Sequence, residues 1–144
     1  MKEQFIPYEL AVKLKELGFD ENTLAGYTLW QNPTLTEPTL LVHIPTGKYS
    51  RWSPIPDYDK YSHRTSDMVK APLWQQAFDW FYNSKNLFQY IRIFNKKDFG
   101  FSIFTVYEDV GKALVYSSNY YNTYEEARLA CLEKLIEIVE NETK

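Results

Sequence analysis

The sequence is poor in the residues that most directly advertise chemistry. Cys131 is the only cysteine among 144 residues. One thiol cannot close an intramolecular disulfide, and a thiolate metal cage within one chain is excluded. His43 and His63 are the only histidines. Glycine occupies five positions, and they form no phosphate-cradling loop; a nucleophile elbow and a zinc-binding His-Glu-x-x-His are also missing. No run approaches the 18 or so apolar residues of a membrane span. Met1 is followed by Lys2-Glu3-Gln4, not by a basic stretch and an apolar run, so the expectation is no secretory leader and a cytoplasmic protein.

An excess of positive charge is lacking too. The net charge is −3, and residues 1–71 carry 8 basic and 9 acidic groups against 8 and 10 in residues 72–144. A protein that neutralises many phosphates needs a positive face, and this charge distribution supplies no basic half or tail.

Aromatic side chains are abundant: 17% of residues, with 12 Tyr, 9 Phe and 4 Trp. They fill a small core economically. They also make hot spots at binding surfaces, where Tyr and Trp are enriched. Both uses are compatible with the composition.

Periodicity organises the chain. Leu10, Ala11, Leu14 and Leu17 recur at helical spacing between Pro7, suited to a first helical position, and Gly18, suited to a left-handed stop. Residues 26–31 and 39–44 are rich in β-branched and aromatic types and read as a hairpin with a longish loop. Residues 45–70 contain Pro45, Gly47, Pro54 and Pro56 without a sustained period and read as a long aromatic and basic surface loop, although Gly47 to Trp52 alternates like a strand. Ala71-Pro72-Leu73-Trp74-Gln75-Gln76-Ala77-Phe78-Asp79-Trp80-Phe81 opens a second helix, predicted over 72–85 with Pro72 first, and Asn86 can end it. Three strands are predicted at 87–94, 99–107 and 112–118, short connections making them antiparallel neighbours. Thr123-Tyr124-Glu125-Glu126 is a capping box before the last helix, whose stripe includes Ala127, Ala130, Cys131, Leu135 and Ile138. The expected architecture is a single α+β domain over residues 1–144. It is an antiparallel sheet of about five strands packed by two or three helices, in the order α-β-β-long loop-α-β-β-β-α.

The order α-β-β-β-α is shared with double-stranded RNA-binding domains. Those domains meet phosphates with lysines at the start of the last helix. Here Glu125 and Glu126 stand at that position, so the topology does not bring the function with it. Asp57, Asp59 and His63 are the most metal-like cluster. Their spacing matches no established ligand pattern, and acids in a proline-rich loop are better explained as solvated. Cys131 lies within an apolar helix stripe and reads as a small buried hydrophobe. Neither a catalytic group nor a cofactor is expected.

The candidate partner-binding residues lie in the long loop: Tyr49, Arg51, Trp52, Tyr58, Tyr61 and Arg64, where cations alternate with rings. Such a set fits a protein partner, stacks on single-stranded nucleic acid, or folds back over a sheet.

Three segments carry a resemblance: Gln4-Phe5-Ile6-Pro7-Tyr8-Glu9-Leu10-Ala11, the 71–81 stretch, and Tyr121-Asn122-Thr123-Tyr124-Glu125-Glu126-Ala127 continuing through the last helix. They resemble a family of small uncharacterised proteins of Bacteroidota and of their phages and prophages. The family brings no activity that can be carried over. It implies an accessory protein of a phage or mobile element. The expectation is therefore a non-enzymatic protein that binds a host protein through the aromatic loop and an exposed sheet face, for example as an inhibitor of an antiphage defence system. The alternatives are single-stranded nucleic acid or nucleotide binding through the loop, and a metal-dependent enzyme using Asp57, Asp59 and His63.

Overall fold

The structure, a computed structural model, describes residues 2–28, 38–46, 49–54 and 69–142, and within 43–46 and 49–54 it describes the backbone alone. The chain is α+β. It falls into two compact units, Met1–Ala77 and Phe78–Lys144.

In the first unit, a 3₁₀ turn at Lys2–Gln4 leads into a bridge between Phe5 and Leu73, where the Ile6 N–H donates to the Pro72 carbonyl at 3.1 Å. The Trp74 indole N–H donates to the Glu3 carbonyl at 3.0 Å. Helix α1 spans Tyr8–Glu16. Pro7 is its N-cap and not its first helical residue: its backbone is extended (φ −62°, ψ 155°), and its carbonyl already accepts from the Ala11 N–H at 2.9 Å. The end follows the sequence expectation. Gly18 takes φ +101°, its N–H reaches the Lys15 carbonyl at 3.0 Å, and the Phe19 N–H reaches that of Leu14 at 2.9 Å. This is a Schellman closure, with Phe19 and Leu14 both buried.

Strands β1 (Ala25–Thr28), β2 (Thr39–Thr46), β3 (Tyr49–Pro54) and β4 (Val69–Ala71) form an antiparallel sheet in the order β3-β2-β1-β4. All of β1 is buried. The Tyr27 hydroxyl donates to the Ile6 carbonyl at 2.7 Å, and burial, followed by the nearby Glu9 carboxylate, raises its pKa.

This overturns the single five-stranded sheet expected from sequence. Within the segment read as a long loop, β3 lies where the alternation of Gly47 to Trp52 suggests a strand, β4 is an additional one, and a four-stranded sheet forms within the first unit. Proline misled the reading. Pro45 lies inside β2 opposite Ser50 of β3, while β1 pairs only with Thr39 to Val42. Among the described residues, Pro45 therefore has a strand neighbour on one side only, where a missing N–H is tolerated.

Helix α2 spans Trp74–Lys85, and the unit boundary lies within it. It begins two residues later than expected because Pro72 and Leu73 are committed to the bridge with the N-terminal segment; the Leu73 carbonyl accepts the first helical bond, from Ala77, at 3.0 Å. Trp74, Ala77, Phe78 and Phe81 are buried, as their period requires, and Trp80 is buried with them, whereas Tyr82 is exposed. Asn86 stops the helix in the left-handed region at φ 57°.

Strands β5 (Leu87–Asn95), β6 (Asp98–Tyr107) and β7 (Gly111–Ser117) form a second antiparallel sheet, ordered β5-β6-β7. Helix α3 (Tyr124–Glu142) packs on β5 and β6. The Thr123 hydroxyl accepts from the Glu126 N–H at 3.1 Å, and the Glu126 carboxylate accepts from the Asn122 N–H at 3.3 Å, one residue before the expected partner. The buried residues of α3 are Ala127, Cys131, Leu132, Leu135, Ile136 and Val139. Leu87, Phe101 and Ile103 are their buried counterparts on the sheet. Outside that core, Lys134 places its ammonium 4.5 Å from the centre of the Tyr116 ring and pairs with Glu137 at 2.9 Å. Among the described residues, no helix is long and apolar enough to cross a membrane.

Burial pushes the Cys131 thiol up to about 12, which leaves it protonated at neutral pH and shielded from reagents. A disulfide reagent is expected to titrate no thiol in the native protein and one per chain in denaturant; a native thiol that reacts within minutes would contradict the buried placement. Phe101→Ala is expected to destabilise the protein by about 3–5 kcal/mol in urea melts.

Candidate binding surface

The second sheet has two unlike faces. Antiparallel pairing sets Phe88 opposite Phe104, Tyr90 opposite Ser102 and Arg92 opposite Gly100. On the other side of β6, Phe104 pairs with Leu114 and Val106 with Lys112. These residues and Phe94 lie on the face away from α3. Tyr90 is 58% exposed, Phe94 54% and Leu114 59%. Tyr120, 62% exposed, extends the row by an edge-on contact with Phe94 at 5.0 Å between ring centres. At the other end, Tyr82 meets Phe88 edge-on at 6.1 Å.

Two cations and no carboxylate belong to this set. Arg92 lies across the sheet. Its Nη2 donates to the Ser118 carbonyl at 3.0 Å and to the Phe101 carbonyl at 3.3 Å, and its guanidinium is 5.5 Å from the centre of the Phe94 ring. Gly100 makes room for it: a Cβ there would stand 2.9 Å from Nη2. Lys112 holds its ammonium 4.6 Å from the centre of Phe104. Each cation covers an aromatic ring, an arrangement worth about 0.5–1 kcal/mol at exposed sites. The surface is thus aromatic and aliphatic with positive charge set into it. It has the composition of an interface centre, where aromatic residues and Arg are enriched and carboxylates depleted.

Why this face stays open follows from the element count. The connection after β7 runs along β6, with the Ser118 N–H on the Phe101 carbonyl at 2.9 Å and Tyr121 bridged to Phe99. It then enters α3, which covers the face carrying Leu87, Phe101 and Ile103. Alternation in the sequence separates Phe88, Tyr90, Arg92 and Phe94 from Leu87, Ile91 and Ile93, and it places four large side chains on the face that α3 does not cover. That was the signal for this surface; the sequence points to an exposed sheet face beside the loop, but the residues it singles out all lie in the loop.

The loop residues are placed only in part. The backbones of Tyr49, Arg51 and Trp52 lie in β3, in register with Thr46, Ile44 and His43. The segment is therefore a paired strand there and not a free loop. Tyr58, Tyr61 and Arg64 lie outside the described residues, as do Asp57, Asp59 and His63. Among the described residues, no group of three or more His, Cys, Asp or Glu could hold a metal ion. Comparison of the chain with protein-family models, curated proteins and solved structures finds no match.

Arg92→Ala removes two charge-assisted hydrogen bonds from a half-buried position. It is expected to cost about 1–2 kcal/mol and to increase binding of a hydrophobic dye by loosening the face. Unchanged stability and dye binding would mean that Arg92 does not organise this surface.

Proposed function

We propose that the protein acts by binding another protein through the open face of its second sheet, without catalysis. The observation that carries this reading is the exposed set Tyr82, Phe88, Tyr90, Phe94, Tyr120 and Leu114, contributed by the end of α2, by β5, by β7 and by the chain after it, with the half-buried Phe104 of β6 joining Phe88 to Leu114. Singly exposed apolar side chains are ordinary, but a contiguous patch calls for a partner. The resemblance to small proteins of Bacteroidota and their phages and prophages makes a host protein the partner, and a component of an antiphage defence system is one concrete form. Tyr49, Arg51, Trp52, Tyr58, Tyr61 and Arg64 are proposed separately, as a partner-binding set of the first unit.

A specific observation favours one further reading. Rings with interspersed cations on an open sheet also stack on single-stranded nucleic acid. Against it, the Arg92 guanidinium is already engaged with two backbone carbonyls, which leaves Lys112 as the cation of this set most available to a phosphate.

A host protein captured in stoichiometric amount by the wild-type chain is expected to bind Phe94→Ala and Leu114→Glu variants at least tenfold more weakly, and Trp52→Ala and Tyr58→Ala variants more weakly as well. Equal affinity of all four variants would remove the surface from the account. Oligonucleotide binding that falls steeply between low and moderate salt would support the nucleic-acid reading in its place.

A further inference from the structure

Among the described residues β5 is an edge strand nine residues long, and its outer edge is lightly defended from Leu87 to Ile93. Natural edges are blunted by outward charge, proline, brevity, bulges or inward-pointing charge. Leu87–Asn95 contains no proline and a single charge, Arg92, and that charge is turned inward over Gly100 toward Ser118. The edge instead presents Tyr90 and Phe94 on one face and Ile93, 67% exposed, on the other. Strand β7, the opposite edge, carries Lys112 and is kinked by an extra residue opposite the Ile103–Phe104 step.

The hydrogen-bonding sense of the edge is fixed by the register with β6. The Val106 N–H donates to the Asn86 carbonyl at 2.8 Å. Residues 86 and 106 therefore form a hydrogen-bonded pair, and alternation makes Phe88, Tyr90 and Arg92 the residues whose backbone groups face β6. The N–H and C=O groups of Leu87, Gln89, Ile91 and Ile93 point outward, and among the described residues no backbone hydrogen bond reaches them. The regular stretch runs from Leu87 to Ile93, where a register shift interrupts it, and Tyr90 is its midpoint.

We propose that β5 pairs with β5 of a second copy of this chain, antiparallel about a two-fold axis at Tyr90, to make a continuous six-stranded sheet. The strand is self-complementary in that register. Outward-facing Gln89 and Ile91 exchange backbone hydrogen bonds with their counterparts, as do Leu87 and Ile93. On one face Tyr90 meets Tyr90 and Phe88 meets Arg92, a cation beside a ring; on the other, Leu87 meets Ile93. No like charges oppose each other. A shift of the axis to Arg92, which the hydrogen-bonding sense also permits, would set two guanidinium groups together, and cross-strand like charges are destabilising. The same pairing joins the two open faces into one surface twice as wide.

The experiment is oxidative crosslinking combined with sedimentation. The wild-type chain is expected to sediment at twice 17.1 kDa at tens of micromolar concentration. Tyr90→Cys is expected to form a disulfide-linked dimer rapidly, because a non-hydrogen-bonded antiparallel pair holds its Cα atoms about 4.5 Å apart. Leu114→Cys, equally exposed on the opposite edge, is expected not to. Gln89→Pro removes an outward N–H that β6 does not use, and is expected to give a folded monomer with an unchanged circular dichroism spectrum. If that variant fails to fold, the two cysteine variants still decide the matter. A wild-type monomer at 200 µM, a dimer unaffected by Gln89→Pro, or equal crosslinking of both cysteine variants would overturn the proposal. So would a monomer that binds a foreign extended peptide along β5.

Discussion

A three-stranded sheet has two faces, and α3 covers one of them. The rest of the second unit depends on that inequality. Ala127, Cys131, Leu132, Leu135, Ile136 and Val139 make an apolar stripe wide enough for Leu87, Phe101 and Ile103, and burying large apolar side chains on such a contact contributes roughly 1.5–3 kcal/mol each. The opposite face keeps its rings in water. Arg92 and Lys112 lie over those rings and limit the exposure without ending it.

The first unit manages its own sheet differently. Its β1 is buried throughout, and the N-terminal segment, α1 and the start of α2 are tied together by the Phe5–Leu73 bridge, the Tyr27 hydroxyl on Ile6 and the Trp74 indole on Glu3. These bonds satisfy polar groups that would otherwise be costly to bury. Among the described residues, Trp74, Phe78, Trp80 and Phe81 are core, whereas Phe88, Tyr90 and Phe94 face outward on β5.

Local chemistry made much of this fold legible. The Gly18 stop, the Asn86 stop and the Thr123–Glu126 box each depend on a few neighbouring residues; both stops and the Thr123 cap occur at the residue expected, and the return bond from Glu126 shifts by one residue to Asn122. Helix starts at Pro7 and Pro72 were displaced by one and two residues, because proline's fixed φ suits an extended N-cap or bridge as well as a first helical turn. Strands β3 and β4 were legible to different degrees. The alternation from Gly47 to Trp52 pointed to β3, which pairs with its sequence neighbour β2, whereas β4 pairs with the distant β1; the prolines that argued for a loop sit where pairing is one-sided or ends. The binding surface was half legible: alternation on β5 sorted its side chains correctly, but which face a helix would claim is a tertiary fact. The rings and cations between 49 and 64 interleave in sequence, but interleaving does not place side chains.

The central claim is the inequality of the two faces. Covalent footprinting with a short-lived carbene or hydroxyl radical reads it residue by residue. The account expects strong labelling of Tyr90, Phe94, Leu114 and Tyr120 and weak labelling of Phe101, Ile103 and Leu135 in the free protein. Equal protection of both sets would contradict it.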